Sequence, residues 1–197
     1  MSRCLPIALL ALLGAAGCVN ASDVSAAAND DVTASDGDTH SVNGSIHVPE
    51  GAKRGEVTTV NGSITLGAGA RVNATVTTVN GSLALHDDSQ VGGAVRSVNG
   101  TIALTAAHVA GGLETVNGDI NLRGTSRIEG GILVRKPEYS VFHWASSGPR
   151  IVIGPGATVA GSLRFEREVR LYVSDRATIG PVTGATPLRF SGEDPSG

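Results

Sequence analysis

The feature that most constrains the fold is a tripeptide, Val-Asn-Gly, which recurs along the chain at nearly constant spacing. The five asparagines lie 18, 19, 19 and 18 residues apart. A repeat of this length cannot bury its own apolar side chains, so successive repeats must stack and share one core. The repeated asparagines and glycines are Asn43, Asn61, Asn80, Asn99 and Asn117, followed by Gly44, Gly62, Gly81, Gly100 and Gly118.

Within each repeat, short segments such as Ile64-Thr65-Leu66 alternate apolar and polar residues, as strands do. Glycine and β-branched residues dominate every window, which disfavours helices. The sequence therefore predicts an all-β fold, a single-stranded parallel β-helix (β-solenoid). We expect it to be right-handed, with about seven coils of 18–20 residues over 40–183. The apolar residues of each repeat, including the valine of Val-Asn-Gly, are predicted to form ladders inside it.

The Asn-Gly pairs are predicted to form a structural turn ladder. Asparagine tolerates left-handed conformations and glycine accepts a positive φ, so both suit a tight bend between strands. Stacked asparagines can hydrogen-bond from coil to coil through their amides. Four of the five pairs are also followed by Ser or Thr, as in a glycosylation acceptor, but the repeat alone accounts for their spacing.

Composition agrees with a thin, regular interior. Aromatic residues make up only 3% of the chain, so Val, Ile, Leu and Ala must fill the core. The net charge is −3, from 15 basic and 18 acidic residues, which argues against nucleic acid as a partner.

The N-terminus has the pattern of an export signal over residues 1–17. Arg3 precedes an apolar run, LPIALLALL, that is too short to span a bilayer. The small residues before Cys18 resemble the lipobox of bacterial lipoproteins, which implies that Cys18 carries lipid. Ordinary cleavage after Ala21 or Ala26 is the alternative. Residues 18–39 are predicted to be a flexible acidic tether, and residues 184–197 an end cap or a disordered tail.

The repeated Val-Asn-Gly-(Ser/Thr/Asp)-(Ile/Leu) pattern resembles the β-solenoid modules of bacterial adhesin-like domains of unassigned function. The stretch IVIGPGATVAGSL, residues 151–163, is similar to coils of bactofilins. Together these resemblances cover about residues 41–182. They imply a non-enzymatic scaffold, and bactofilins as a family stack end to end. We therefore expect self-association through the solenoid ends.

An insert at 136–149 interrupts the repeat and holds three of the chain's six aromatic residues. Such side chains beside cations suit a contact with a glycan or an envelope protein. The alternative is that the insert folds back over one flank of the solenoid. The candidate contact residues are Tyr139, Phe142, His143, Trp144 and Arg150.

Two chemical alternatives remain. The segment LGAGARV, residues 66–72, resembles the hexapeptide repeat of left-handed β-helix acyltransferases, for which His86, His108 or His143 would supply the imidazole base. Calcium binding between coils would need an aspartate in every repeat, whereas Asp87, Asp88 and Asp119 do not recur. We expect no enzyme activity, no metal and no cofactor. The predicted protein is exported to the periplasm, outer membrane or cell surface.

Overall fold

The computed structural model describes residues 37–137 and 148–195. These residues form an all-β structure in which three parallel sheets run side by side along one axis. Each coil contributes one strand to each sheet in turn, which confirms the predicted β-solenoid of about seven coils. The right-handed sense stays a prediction.

We call the sheets A, B and C, in the order in which the chain visits them. Sheet A contains β1 (Thr39–Asn43), β4 (Val57–Asn61), β7 (Val76–Asn80), β10 (Val95–Asn99), β13 (Leu113–Thr115), β16 (Ile132–Val134), β19 (Leu163–Phe165) and β22 (Val182–Thr183). Sheet B contains β2 (Ile46–Val48), β5 (Ile64–Leu66), β8 (Leu83–Leu85), β11 (Ile102–Thr105), β14 (Ile120–Arg123), β17 (Arg150–Ile153), β20 (Arg170–Ser174) and β23 (Leu188–Phe190). Sheet C contains β3 (Lys53–Arg54), β6 (Arg71–Val72), β9 (Gln90–Val91), β12 (His108–Val109), β15 (Arg127–Ile128), β18 (Thr158–Val159) and β21 (Thr178–Ile179).

The register follows the sequence repeat. Asn43 lies opposite Asn61, Asn61 opposite Asn80, and Asn80 opposite Asn99, so each repeat residue stacks on its equivalent. Parallel strands lie about 4.8 Å apart, so seven coils span roughly 34 Å along the axis.

The core is one continuous apolar cluster that extends from Ile46 in the first coil to Val173 in the seventh. Its side chains come from the inward positions of all three sheets, and sheet B supplies the largest share. Examples are Val57 of sheet A, Leu66 of sheet B and Val72 of sheet C, all at most 1% exposed. Because the interior is thin, small aliphatic side chains fill it, and Phe165 is the one aromatic member of this cluster.

The valines of Val-Asn-Gly are not part of this core, which corrects the sequence-based ladder. Val60, Val79 and Val98 are only partly buried, and Val42 is 56% exposed. Val116 is buried, at 8% exposed, but it lies outside the apolar cluster. The inward residue of this part of the strand is instead the one before the valine, as with Thr59, which is fully buried. Side chains alternate along a strand, so burial of Val57 and Thr59 places Val60 outside.

The solenoid also extends past the predicted boundary at residue 183. Strand β22 begins an eighth, partial coil, and β23, Leu188–Phe190, continues it by pairing with β20. After it the chain turns back along the side of the solenoid. Asp194 pairs with Arg123 of the fifth coil at 3.1 Å, and Glu193 pairs with Arg176 at 3.2 Å. The described part of the predicted tail therefore joins the folded body.

Candidate functional site

The most regular feature of the surface is the bend between sheets A and B in the first five coils, which we call the Asn-Gly corner. Here the amide Nδ2 of each asparagine donates to Oδ1 of its equivalent in the preceding coil. The four bonds join Asn61 to Asn43 at 3.0 Å, Asn80 to Asn61 at 3.0 Å, Asn99 to Asn80 at 2.9 Å and Asn117 to Asn99 at 3.0 Å. All four point the same way, and each asparagine between the ends both donates and accepts.

The glycine after each asparagine is required by close stacking more than by a positive φ. A Cβ on Gly62 would lie 2.0 Å from the carbonyl oxygen of Gly44, and one on Gly81 would lie 2.0 Å from that of Gly62. The same clash, at 2.1 and 2.0 Å, would arise at Gly100 and Gly118. Among these five glycines, only Gly81 and Gly100 have a positive φ. Glycine is therefore fixed here by the coil-to-coil contact.

A row of buried hydroxyls supports the corner from inside, and the sequence analysis missed it. Thr59 Oγ1 donates to the carbonyl of Gly44 at 3.0 Å, and Thr78 Oγ1 donates to that of Gly62 at 3.1 Å. In the fifth coil the direction reverses, because Gly118 N donates to Thr115 Oγ1 at 2.9 Å. The recurring Thr or Ser two residues before each asparagine was the available signal.

The ladder ends at Asn117, where the insert interrupts the corner of the sixth coil. Arg167, from the corner of the seventh coil, donates from Nη1 to Asn117 Oδ1 at 2.5 Å and to the carbonyl of Val116 at 3.2 Å. A guanidinium thus satisfies the last amide oxygen with a charge-assisted bond. The same inner row changes from hydroxyls to Val134 and Phe165 beyond this point.

Most residues of the predicted contact insert, Tyr139, Phe142, His143 and Trp144, lie outside the described residues, as does Cys18. Arg150 is described and is held within the folded body. Its guanidinium lies 5.2 Å from the ring centroid of Tyr172, and its Nη2 donates to the carbonyl of Pro195 at 3.4 Å.

A charged cluster lies on the outer face of sheet A. The Glu114 carboxylate, whose side chain is 11% exposed, lies between Arg96 of the preceding coil and Arg135 of the following coil. Three successive coils thus share one ion-pair network, which joins their strands by side chains as well as by backbone bonds. Charges in such a network stabilise the register of neighbouring strands.

The histidines and acids considered for chemistry are scattered. His86 is exposed, and His108 Nε2 lies 3.2 Å from Glu129 Oε1, which also lies 3.6 Å from Arg127. Asp119 Oδ1 accepts from the backbone N–H of Arg150 at 2.8 Å. Within residues 37–137 and 148–195, no three His, Cys, Asp or Glu side chains come together as metal ligands. The acyltransferase alternative stays a prediction.

The Asn-Gly corner therefore presents a row of neutral asparagine amides that hydrogen-bond to one another. Side-chain amides do not ionise near neutral pH, so the ladder itself supplies no acid, base or nucleophile. No protein-family model, no curated protein and no solved structure matches the chain. In the part of the chain that the structure describes, no helix is long and apolar enough to cross a membrane.

Proposed function

We propose that this chain is a non-enzymatic scaffold protein of the bacterial cell envelope, exported and held at a membrane through lipid on Cys18. The observation that carries the scaffold role is the single apolar core from Ile46 to Val173, because it joins successive coils into one body. A β-solenoid of this kind presents long, regular side faces.

The dimensions suit a spacer. The part of the predicted tether before the described residues, 18–36, has a composition that predicts a flexible chain and would have a root-mean-square length of about 24 Å. The seven coils add roughly 34 Å. Such a molecule would hold a side face, or the insert at 136–149, several tens of ångströms from the membrane. The insert, with Tyr139, Phe142 and Trp144, would supply the contact with a glycan or an envelope protein.

Fractionation of cells that express the wild type, Cys18→Ala and the matched control Cys4→Ala tests the proposal. Both cysteines lie in the N-terminal segment, but only Cys18 follows the lipobox-like residues. We expect the wild type and Cys4→Ala in the membrane fraction, with the added lipid mass on an N-terminal Cys18. We expect Cys18→Ala in the soluble fraction.

Two results would contradict the tether. One is a soluble wild type whose N-terminus is Ser22 or Ala27, because ordinary cleavage would then have removed Cys18. The other is an uncleaved chain in the cytoplasm, which would also contradict the envelope location.

A further inference from the structure

The outer face of sheet B carries one side chain that is buried although it points away from the core. The central outward position of this sheet is occupied, from the second to the seventh coil, by Thr65, Ala84, Ala103, Asn121, Val152 and Tyr172. Among these six, Val152 alone is buried, at 3% exposed. Its neighbours Ile151 and Ile153 face the core, so Val152 faces outward. Groups outside its own strand must therefore cover it.

The C-terminal segment 191–195, which we call the tail, returns along this face. Glu193 Oε1 lies 3.2 Å from Arg176 Nη2, in the bend after β20. Asp194 Oδ1 lies 3.1 Å from Arg123 Nη2, at the end of β14. Two adjacent carboxylates of the tail thus meet two arginines from different coils.

The next contact of the tail places it across Val152. The carbonyl of Pro195 accepts from Arg150 Nη2 at 3.4 Å, and Arg150 stands at the start of β17. Arg123 belongs to the preceding coil and to the opposite end of its strand. Because consecutive tail residues reach these two arginines, the tail crosses the outer face between them. Pro195 is buried there, whereas the rest of the described tail is exposed.

The tail is a weakly held occupant of this surface. The side chains of both ion pairs are at least 57% exposed, and exposed pairs contribute little and are screened by salt. Beside Val152, Asn121 Oδ1 is enclosed and accepts no hydrogen bond from the described residues. Proline has no N–H, so Pro195 cannot satisfy it. A peptide with an N–H at that position would make one bond more than the tail does.

We propose that Arg123, Arg150, Val152 and Arg176 form a docking site for an extended acidic segment of a partner protein, and that the tail covers this site until such a segment displaces it. The tail shows the chemistry that the site accepts, which is two adjacent carboxylates followed by a residue packed over Val152. Guanidinium groups suit carboxylates because they donate charge-assisted hydrogen bonds. The site goes beyond the scaffold role, since it places a partner on one side face, and it holds whether or not the chain is tethered.

Fluorescence anisotropy of a labelled peptide tests the proposal. The peptide is FSGEDP, the sequence of residues 190–195, blocked at both ends. The proteins are the full chain in non-ionic detergent, as wild type and as the tail variant Glu193→Gln, Asp194→Asn. We expect the tail variant to bind the peptide at least about tenfold more tightly than the wild type, because a tethered tail competes at an effective concentration in the millimolar range.

Two further pairs of substitutions in the tail variant locate the binding. Arg123→Gln with Arg176→Gln removes the partners of both carboxylates and should abolish binding of the peptide. Arg71→Gln with Arg164→Gln is the matched control, since it removes outward arginines of sheets C and A and should leave the affinity unchanged. All four arginines are exposed, so the variants should fold, and circular dichroism checks this.

Three results would overturn the docking site. They are equal affinity of the peptide for the wild type and the tail variant, no binding of the peptide to the tail variant, and binding that survives the Arg123→Gln, Arg176→Gln change.

Discussion

At the scale of single residues, the asparagine ladder shows how a repeated side chain stabilises a repeated backbone. Each amide between the ends makes two bonds, whereas Asn43 at the N-terminal end makes one. These amides are exposed, so water competes for them and each bond contributes only about 0.5–1 kcal/mol. The ladder therefore sets the register more than it sets the total stability.

This difference predicts the outcome of two matched substitutions. Asn80→Ala removes two ladder bonds and should lower the free energy of unfolding by about 1–2 kcal/mol. Asn43→Ala removes one bond and should cost about half as much. Urea unfolding followed by circular dichroism measures both. Equal effects at the two positions would show that the ladder bonds are not the cause.

A second prediction concerns the bend between sheets B and C. Ala106 has a φ of 46°, in the left-handed region, where Gly51 and Gly69 serve the bends of the first two coils. A Cβ is disfavoured there by roughly 1 kcal/mol. Ala106→Gly should thus raise the free energy of unfolding by about 0.5–1 kcal/mol.

Gly69→Ala is the reciprocal control for this bend. A Cβ on Gly69 would have no atom within 4 Å, so only its φ of 64° opposes the change. We expect a loss of about 1 kcal/mol in thermal or urea unfolding. A stabilising effect of Gly69→Ala would contradict the argument from backbone strain.

The residues that could not be placed from sequence are those where two patterns compete. In Val57-Thr58-Thr59-Val60, side chains alternate between the two faces, so either Val57 with Thr59 or Thr58 with Val60 could point inward. Both alternatives bury one valine and one threonine. The bond from Thr59 to Gly44 decides it, because this inward hydroxyl satisfies a carbonyl of the preceding coil. That bond depends on stacking, which no local pattern reveals.

At the scale of elements, strands of two to five residues are too short to be stable alone, and the corners between them fix where each begins. The row of buried hydroxyls connects the strands to the corners, because Thr59 and Thr78 lie in strands and bond to corner carbonyls. Thr78 bonds the Gly62 carbonyl, while the equivalent Ser97 is 1% exposed and its hydroxyl has no partner among the described residues.

Thr78→Val keeps the shape of the side chain and removes its bond, so it should cost about 1 kcal/mol in free energy of unfolding. Ser97→Ala removes a buried hydroxyl that is already unpaired, so it should be neutral or stabilising. Thermal unfolding of both variants checks this. A larger loss for Ser97→Ala than for Thr78→Val would mean that the hydroxyl row does not act through these bonds.

The elements themselves were largely predictable, because the Asn-Gly spacing fixed the coil length and the short alternating segments fixed the strands. Strand β23 was not predictable, since the segment from Thr186 lacks the repeat pattern. Leu188–Phe190 forms a strand only through its pairing with β20. The positions of Arg54 and Arg189 opposite buried valines were not predicted either, because only the strand register identifies them.

At the scale of the whole molecule, strand pairing joins only neighbouring coils, so stability is approximately a sum of coil and interface contributions. A few side chains, such as Arg167 and Asp194, add bonds to coils further away. Interruption of one corner is therefore tolerated. In the chain, the insert follows β16 of sheet A and precedes β17 of sheet B. Both of these strands still pair with the coils on either side.

The solenoid and the corner depend on parallel stacking at 18 or 19 residues, and disulfide cross-linking tests this stacking most directly. In a chain with Cys4→Ala and Cys18→Ala, cysteines replace Thr65 and Ala84, register partners on the outer face of sheet B. Their Cα atoms should lie about 4.8 Å apart, within disulfide range. Thr65 with Ala103, two coils away at about 9.6 Å, is the control. The account predicts rapid oxidation of the first pair alone; a free first pair, or a cross-linked control pair, would contradict it.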